Sequence, residues 1–168
     1  RLRNFLLHVI AFVVDLVVEF IPRPKPNKKL LHQCKIVAHR GAHKGKILEN
    51  SIEAFDLCRL NKIWGIELDV RWTADNVPIV FHDPTAQRLF LRGDIVPARL
   101  TFQDLRQKLP AICSLEEVLH RYGKDFHYMI ELKEPIDQPE RQEQIKSLLA
   151  GHTPCKDFHL LSSQVEFF

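Results

Sequence analysis

The chain has 168 residues, 45% hydrophobic and 27% charged, with a formal net charge of +3. That size suits one globular domain of ordinary composition. The small net charge and the lack of a basic stripe interleaved with aromatics argue against a nucleic-acid binder. Four cysteines, Cys34, Cys58, Cys113 and Cys155, show no CxxC spacing, so free buried thiols in a reducing compartment are expected rather than disulfides. The first residue is Arg1, not Met, which reads as a processed product or an excerpt.

Residues 4–21 form a nearly continuous apolar run interrupted by His8, Asp15 and Glu19, three positions that fall on one side of a helix. The length permits a membrane span. Three readings stand: a membrane anchor or span, an interfacial helix with a narrow polar stripe, and a soluble helix docked on the domain. If the run spans, the basic residues after it place the main domain in the cytoplasm, so the expectation is a membrane-associated chain. Pro22, Pro24 and Pro26 then break the helix, making residues 22–29 an extended linker and the domain boundary.

From Leu30 the pattern alternates. Leu30 to Ala38 contains a first strand, and Asn50 to Lys62 reads as a helix opened by an Asn50–Glu53 capping box. Gly65 to Val70 is a second strand; the turn Thr73-Ala74-Asp75-Asn76 leads to a third, Pro78 to Phe81. Thr101 to Lys108 is a short helix, and Ser114-Leu115-Glu116-Glu117 is a capping box opening another through Tyr122. His127 to Leu132 is a fourth strand, Pro139 to Ala150 a helix stopped by Gly151, and Phe158 to Ser162 a fifth strand. Such alternation predicts βα repetition and a parallel sheet, whose chemistry lies at the carboxyl edge of the strands.

Ionisable residues gather at those strand ends. Glu67 and Asp69, two apart on a strand, share a face, and Glu131 ends another strand. Converging carboxylates repel unless protonated or neutralised, and an all-oxygen set suits a hard cation, Mg²⁺ or Ca²⁺. The alternative is solvated strand-end charge with basic neighbours. His39 and His82 also stand at strand ends, beside Arg40 and Asp83, where imidazoles suit general acid and base roles. Arg40 and Lys133 are candidates to hold a phosphate, and Gly41 permits a tight turn after the first strand.

In order, His39-Arg40-Gly41, Glu49-Asn50-Ser51, Glu67-Leu68-Asp69-Val70, His82-Asp83 and Glu131-Leu132-Lys133 resemble the glycerophosphodiester phosphodiesterase family. The helix-opening Ser114-Leu115-Glu116-Glu117-Val118-Leu119 is similar to that family's segment before its fourth strand, and the likeness covers roughly residues 34–163. The resemblance implies a TIM-type (β/α) barrel and hydrolysis of glycerophosphodiesters to glycerol 3-phosphate and an alcohol. It further implies a divalent metal on Glu67, Asp69 and Glu131, an acid–base pair in His39 and His82, phosphate contacts from Arg40 and Lys133, and Glu49 close to the site. Either water or the substrate's own hydroxyl serves as nucleophile.

Some features depart from the family pattern. Asn76 stands where a Gly is common, and Ser162-Ser163-Gln164 lacks the usual aromatic after serine. A complete barrel takes about 250 residues, whereas five of eight strands are readable here, so the barrel is expected to be incomplete. Two alternatives to the phosphodiesterase follow: a lysophospholipase D held near lipid by the apolar run, and a truncated, non-catalytic fragment.

Overall fold

A computed structural model describes residues 10, 12–14, 18 and 27–163. The chain divides into two units, Arg1–Cys34 and Lys35–Phe168. In the first, Ile10, Phe12 to Val14 and Val18 are helical and exposed, and helix α1 spans Lys28–Gln33 with the Asn27 side chain capping Lys29 N.

The expected membrane association does not stand. Among the described residues no helix is long and apolar enough to cross a membrane. With no such helix among the described residues, the flanking-charge argument for a cytoplasmic main domain has no footing. Most of the 4–21 run, with its polar stripe, and the proline linker up to residue 26 lie outside the described residues.

The second unit is built on a sheet. Strand β1 (Val37–His39) and strand β2 (Gly65–Trp72) are joined through helix α2 (Ile52–Leu60). Strand β3 (Pro78–Val80) follows β2 across a tight turn. Helix α3 (Gln87–Phe90), a 3₁₀ turn (Pro97–Arg99), helix α4 (Phe102–Lys108) and helix α5 (Leu115–Tyr122) lead to strand β4 (His127–Leu132). Helix α6 (Pro139–Leu149) and strand β5 (Phe158–Leu161) complete the described unit. The parallel order is β1-β2-β4-β5. Ile66, Leu68 and Val70 of β2 and Tyr128, Ile130 and Leu132 of β4 are buried in one core with Phe55 and Cys58 of α2, and Val118 and Leu119 of α5. The alternate residues of the same strands, Glu67, Asp69 and Glu131, therefore point to the other face.

All five expected strands form, and the incomplete TIM-type barrel stands. One difference concerns direction: β3 runs antiparallel to β2, pairing Val70 with Val80. It lies on the edge of β2 that β1 occupies lower down, because β4 holds the opposite edge through Val70. The Thr73–Asn76 turn causes this reversal. Thr73 N donates to Val77 O, and Asn76 takes a φ of 56°, which an asparagine tolerates. Ile79 of β3 and residues beyond the strand, Phe81, Ala86, Ile95, Leu105, Leu109 and Ile112, bury a second small core.

The helix caps at Thr101 and Ser114 form as read, and Ser114 and Glu117 close a reciprocal box. The cap of α2 shifts by one residue. Ser51, not Asn50, accepts the Ala54 N–H, while Asn50 adopts a φ of 54° and turns its side chain elsewhere. All four cysteines are free thiols, but only Cys58 and Cys113 are buried; Cys34 and Cys155 are exposed.

Candidate active site

Strand register assembles the acidic group. Asp69 and Glu131 are direct partners across β2 and β4, and Glu67 lies one pleat earlier on the same face of β2. The three offer carboxylate oxygens that all lie within 4.8 Å of one another. Asp69 is fully buried and Glu67 is 8% exposed, so their charges meet little water. Burial, followed by the neighbouring Asp69 and Glu131 charges, pushes the Glu67 carboxyl up to about 7.

Cations answer part of this charge. Lys133 Nζ sits 2.9 Å from Asp69 Oδ1 and 2.7 Å from Glu131 Oε1. Arg40 Nε lies 3.1 Å from Asp69 Oδ2, and Arg40 Nη1 donates to Glu49 Oε1 at 3.0 Å. The Arg40 backbone N–H donates to Glu67 Oε2 at 3.0 Å, and Asn50 Nδ2 donates to Asp69 Oδ2 at 2.8 Å. Both donors depend on unusual backbone: Arg40 and Asn50 have φ of 58° and 54°. Gly41 follows at φ +82°, where an added Cβ would stand 2.8 Å from Ala54 Cβ, so only glycine fits between this turn and α2. Glu67 Oε1 is buried without a hydrogen-bond partner among the described residues, while Asp69 Oδ1 faces the Lys133 ammonium. Three converging carboxylates, one of them with a free buried oxygen, are the donor set a hard divalent cation takes.

The two histidines differ in setting. His39 is largely exposed, and its Nε2 lies 3.9 Å from Glu67 Oε2. His82, just past β3, contacts Asp83 through Nδ1···Oδ1 at 2.7 Å. Arg71 Nε donates to the His82 carbonyl at 2.7 Å, fixing the backbone there. The residue that sequence reasoning missed is Arg88. Its Nε donates to Asp83 Oδ2 at 2.7 Å and its Nη1 to Glu49 Oε2 at 3.0 Å. No short-range pattern marks it, since Glu49 is 39 positions away. The sequence marks Asn50 as a capping residue and as part of the Glu49-Asn50-Ser51 motif, not as a partner of Asp69.

The glycerophosphoryl diester phosphodiesterase family model matches residues 39–162, which include every residue of this cluster. The chain belongs to that family. The Bacillus subtilis protein YhdW is 38% identical over 126 residues, covering 68% of this chain and 51% of YhdW. Human glycerophosphodiester phosphodiesterase 1 is 32% identical over 124 residues, 68% of this chain and 34% of that protein. Among solved structures, the glycerophosphodiester phosphodiesterase of Thermotoga maritima superposes with a TM-score of 0.66 at 28% identity, covering 80% of this chain and 56% of that one. A phosphodiesterase of Oleispira antarctica, solved with the product sn-glycerol-3-phosphate, gives 0.58 at 25% identity, covering 77% of this chain and 56% of that one. The chain thus spans about half the length, or less, of the relatives it matches.

Proposed function

We propose that this chain carries the catalytic half of a phosphodiesterase that hydrolyses glycerophosphodiesters to glycerol 3-phosphate and an alcohol. The observation that carries the reading is the convergence of Glu67, Asp69 and Glu131 within 4.8 Å, with a buried Glu67 Oε1 that has no hydrogen-bond partner among the described residues. These three would hold Mg²⁺ or Ca²⁺, which when bound offsets charge on the phosphoryl oxygens. His39 and His82 exchange protons with the nucleophile and the leaving alkoxide, one as base and the other as acid. Arg40 and Lys133 supply fixed positive charge beside the phosphate; Arg40 is held in place by Glu49 and Asp69. The product in the Oleispira antarctica structure supports glycerol 3-phosphate as the released half.

The test is release of glycerol 3-phosphate from glycerophosphocholine. Activity that disappears with EDTA, returns with Mg²⁺ or Ca²⁺, and is lost in Glu67→Ala and His82→Ala supports the reading. Activity indifferent to chelator, or a purified chain inert with either ion, refutes it. The inert outcome is the one expected of a non-catalytic fragment.

A further inference from the structure

We propose that Arg88 is a positioning residue for this reaction: through Asp83 it fixes which imidazole nitrogen of His82 carries the proton, and through Glu49 it ties that histidine to the carboxylate cluster. The inference rests on the phosphodiesterase reading for its catalytic consequence but not for its geometry.

The argument starts at His82. Its Nδ1 stands 2.7 Å from Asp83 Oδ1, and an ionised carboxylate can only accept. Nδ1 is therefore the protonated nitrogen, and the lone pair of the neutral ring is on Nε2. This holds only while Asp83 is ionised and correctly turned. Burial alone would raise the Asp83 carboxyl, but hydrogen bonds from His82 and Arg88 outweigh it and hold the carboxyl below its ordinary range. Arg88 Nε takes the second oxygen, Oδ2, at 2.7 Å, so Asp83 is gripped from both ends and cannot rotate away from the ring.

The rest of the guanidinium faces Glu49. Nη1 donates to Oε2 at 3.0 Å, and Nη2 donates to Oε1. The same Oε1 receives Arg40 Nη1, and Arg40 is paired with Asp69. A continuous chain of charged contacts thus runs His82–Asp83–Arg88–Glu49–Arg40–Asp69. It joins two parts of the fold that share no strand: the segment after β3, and the turn after β1. Only a planar fork can serve two carboxylates in this way; a lysine ammonium is a point charge. The scaffold is prepared for it. Helix α3, which carries Arg88, is four residues long and is ended by Leu91 at φ 55°, while the buried Ala86 before it donates its N–H to Ile95 O.

A purely structural ion pair predicts a different result from a positioning residue, and two readouts separate them. The first is the His82 tautomer, read by two-dimensional ¹⁵N–¹H correlation of the imidazole across a pH series. It needs no activity, so it stands even if the phosphodiesterase reading fails. The wild-type chain shows the Nδ1–H form. Arg88→Ala shifts His82 toward a mixture with Nε2–H, and Arg88→Lys shifts it less. The second readout is steady-state hydrolysis of glycerophosphocholine: Arg88→Ala lowers kcat about 10- to 100-fold with KM changed less than about three-fold, and Arg88→Lys recovers part of the loss. Arg92→Ala removes an exposed arginine paired only with Asp94 and leaves both readouts as in wild type. Should Arg88→Ala fail to fold, Arg88→Lys is read alone and must still show a rise in Nε2–H. A folded Arg88 variant with the wild-type His82 tautomer overturns the proposal, as does one with unchanged kcat in an active wild-type background.

Discussion

The Glu67 carboxyl makes the acidic cluster measurable without any assay of turnover. Raising its titration from the ordinary value of 4.5 to about 7 is equivalent to about 3 kcal/mol of destabilisation once the group is ionised in the metal-free protein. The sign follows from the direction of the shift. Below about pH 4.5 Glu67 is protonated in both folded and unfolded chains and costs nothing; between 4.5 and 7 the unfolded chain ionises first, and folding loses stability that does not return above 7. Glu67→Gln keeps the shape, keeps an acceptor for the Arg40 N–H, and cannot ionise. Urea denaturation of EDTA-treated wild type and variant checks this at about pH 5 and about pH 8. Taking the difference cancels the other carboxylates, several of which shift the opposite way. The two proteins have similar stability at the lower pH, and the variant is more stable by roughly 2–3 kcal/mol at the higher. A wild-type–variant difference that does not change with pH refutes the reasoning.

Adding millimolar Mg²⁺ or Ca²⁺ at pH above 7 should raise the wild-type melting temperature, and Glu131→Gln should shrink that rise by removing a negative ligand, both read by thermal scans with and without chelator. Gly41→Ala should cost about 2–3 kcal/mol in denaturant titrations, because the new Cβ meets Ala54 and Phe55 in a left-handed backbone. Ser114→Ala should cost about 1 kcal/mol by opening the box at the start of α5, visible as a melting temperature lower by a few degrees. Arg40→Ala should be the most damaging, at about 3–5 kcal/mol, since it takes the guanidinium away from the fully buried Asp69 and from Glu49; denaturant midpoints check it.

Features set by short-range chemistry were legible in the sequence. The span of β4, the Ser114 box and the Thr101 cap follow from alternation and capping preferences acting within four residues. The Glu67/Asp69 pair is legible for the same reason, since a strand repeats every second residue. The cap of α2 was misplaced because Asn50 and Ser51 are both good caps; only the demand of Asp69 for a donor, 19 positions on, decides that Asn50 turns inward and Ser51 caps. The direction of β3 depends on the backbone of one turn, which strand composition does not encode. Arg88 was unreadable because a half-exposed arginine acquires meaning only from partners brought near by the fold. The apolar run suggested a membrane by length alone, and no described helix supports one.

The small core of Ile79, Phe81, Ala86, Ile95, Leu105, Leu109 and Ile112 is distinct from the main one, and His82 directly follows its Phe81. His82, one of the two proposed proton carriers, and the proposed ion ligands thereby rest on separately packed regions. Substitutions in the minor region can move His82 while the strands bearing Glu67, Asp69 and Glu131 stay as they are. Under the proposed reading, substitutions between residues 83 and 112 alter the pH profile of hydrolysis and leave ion affinity as it is.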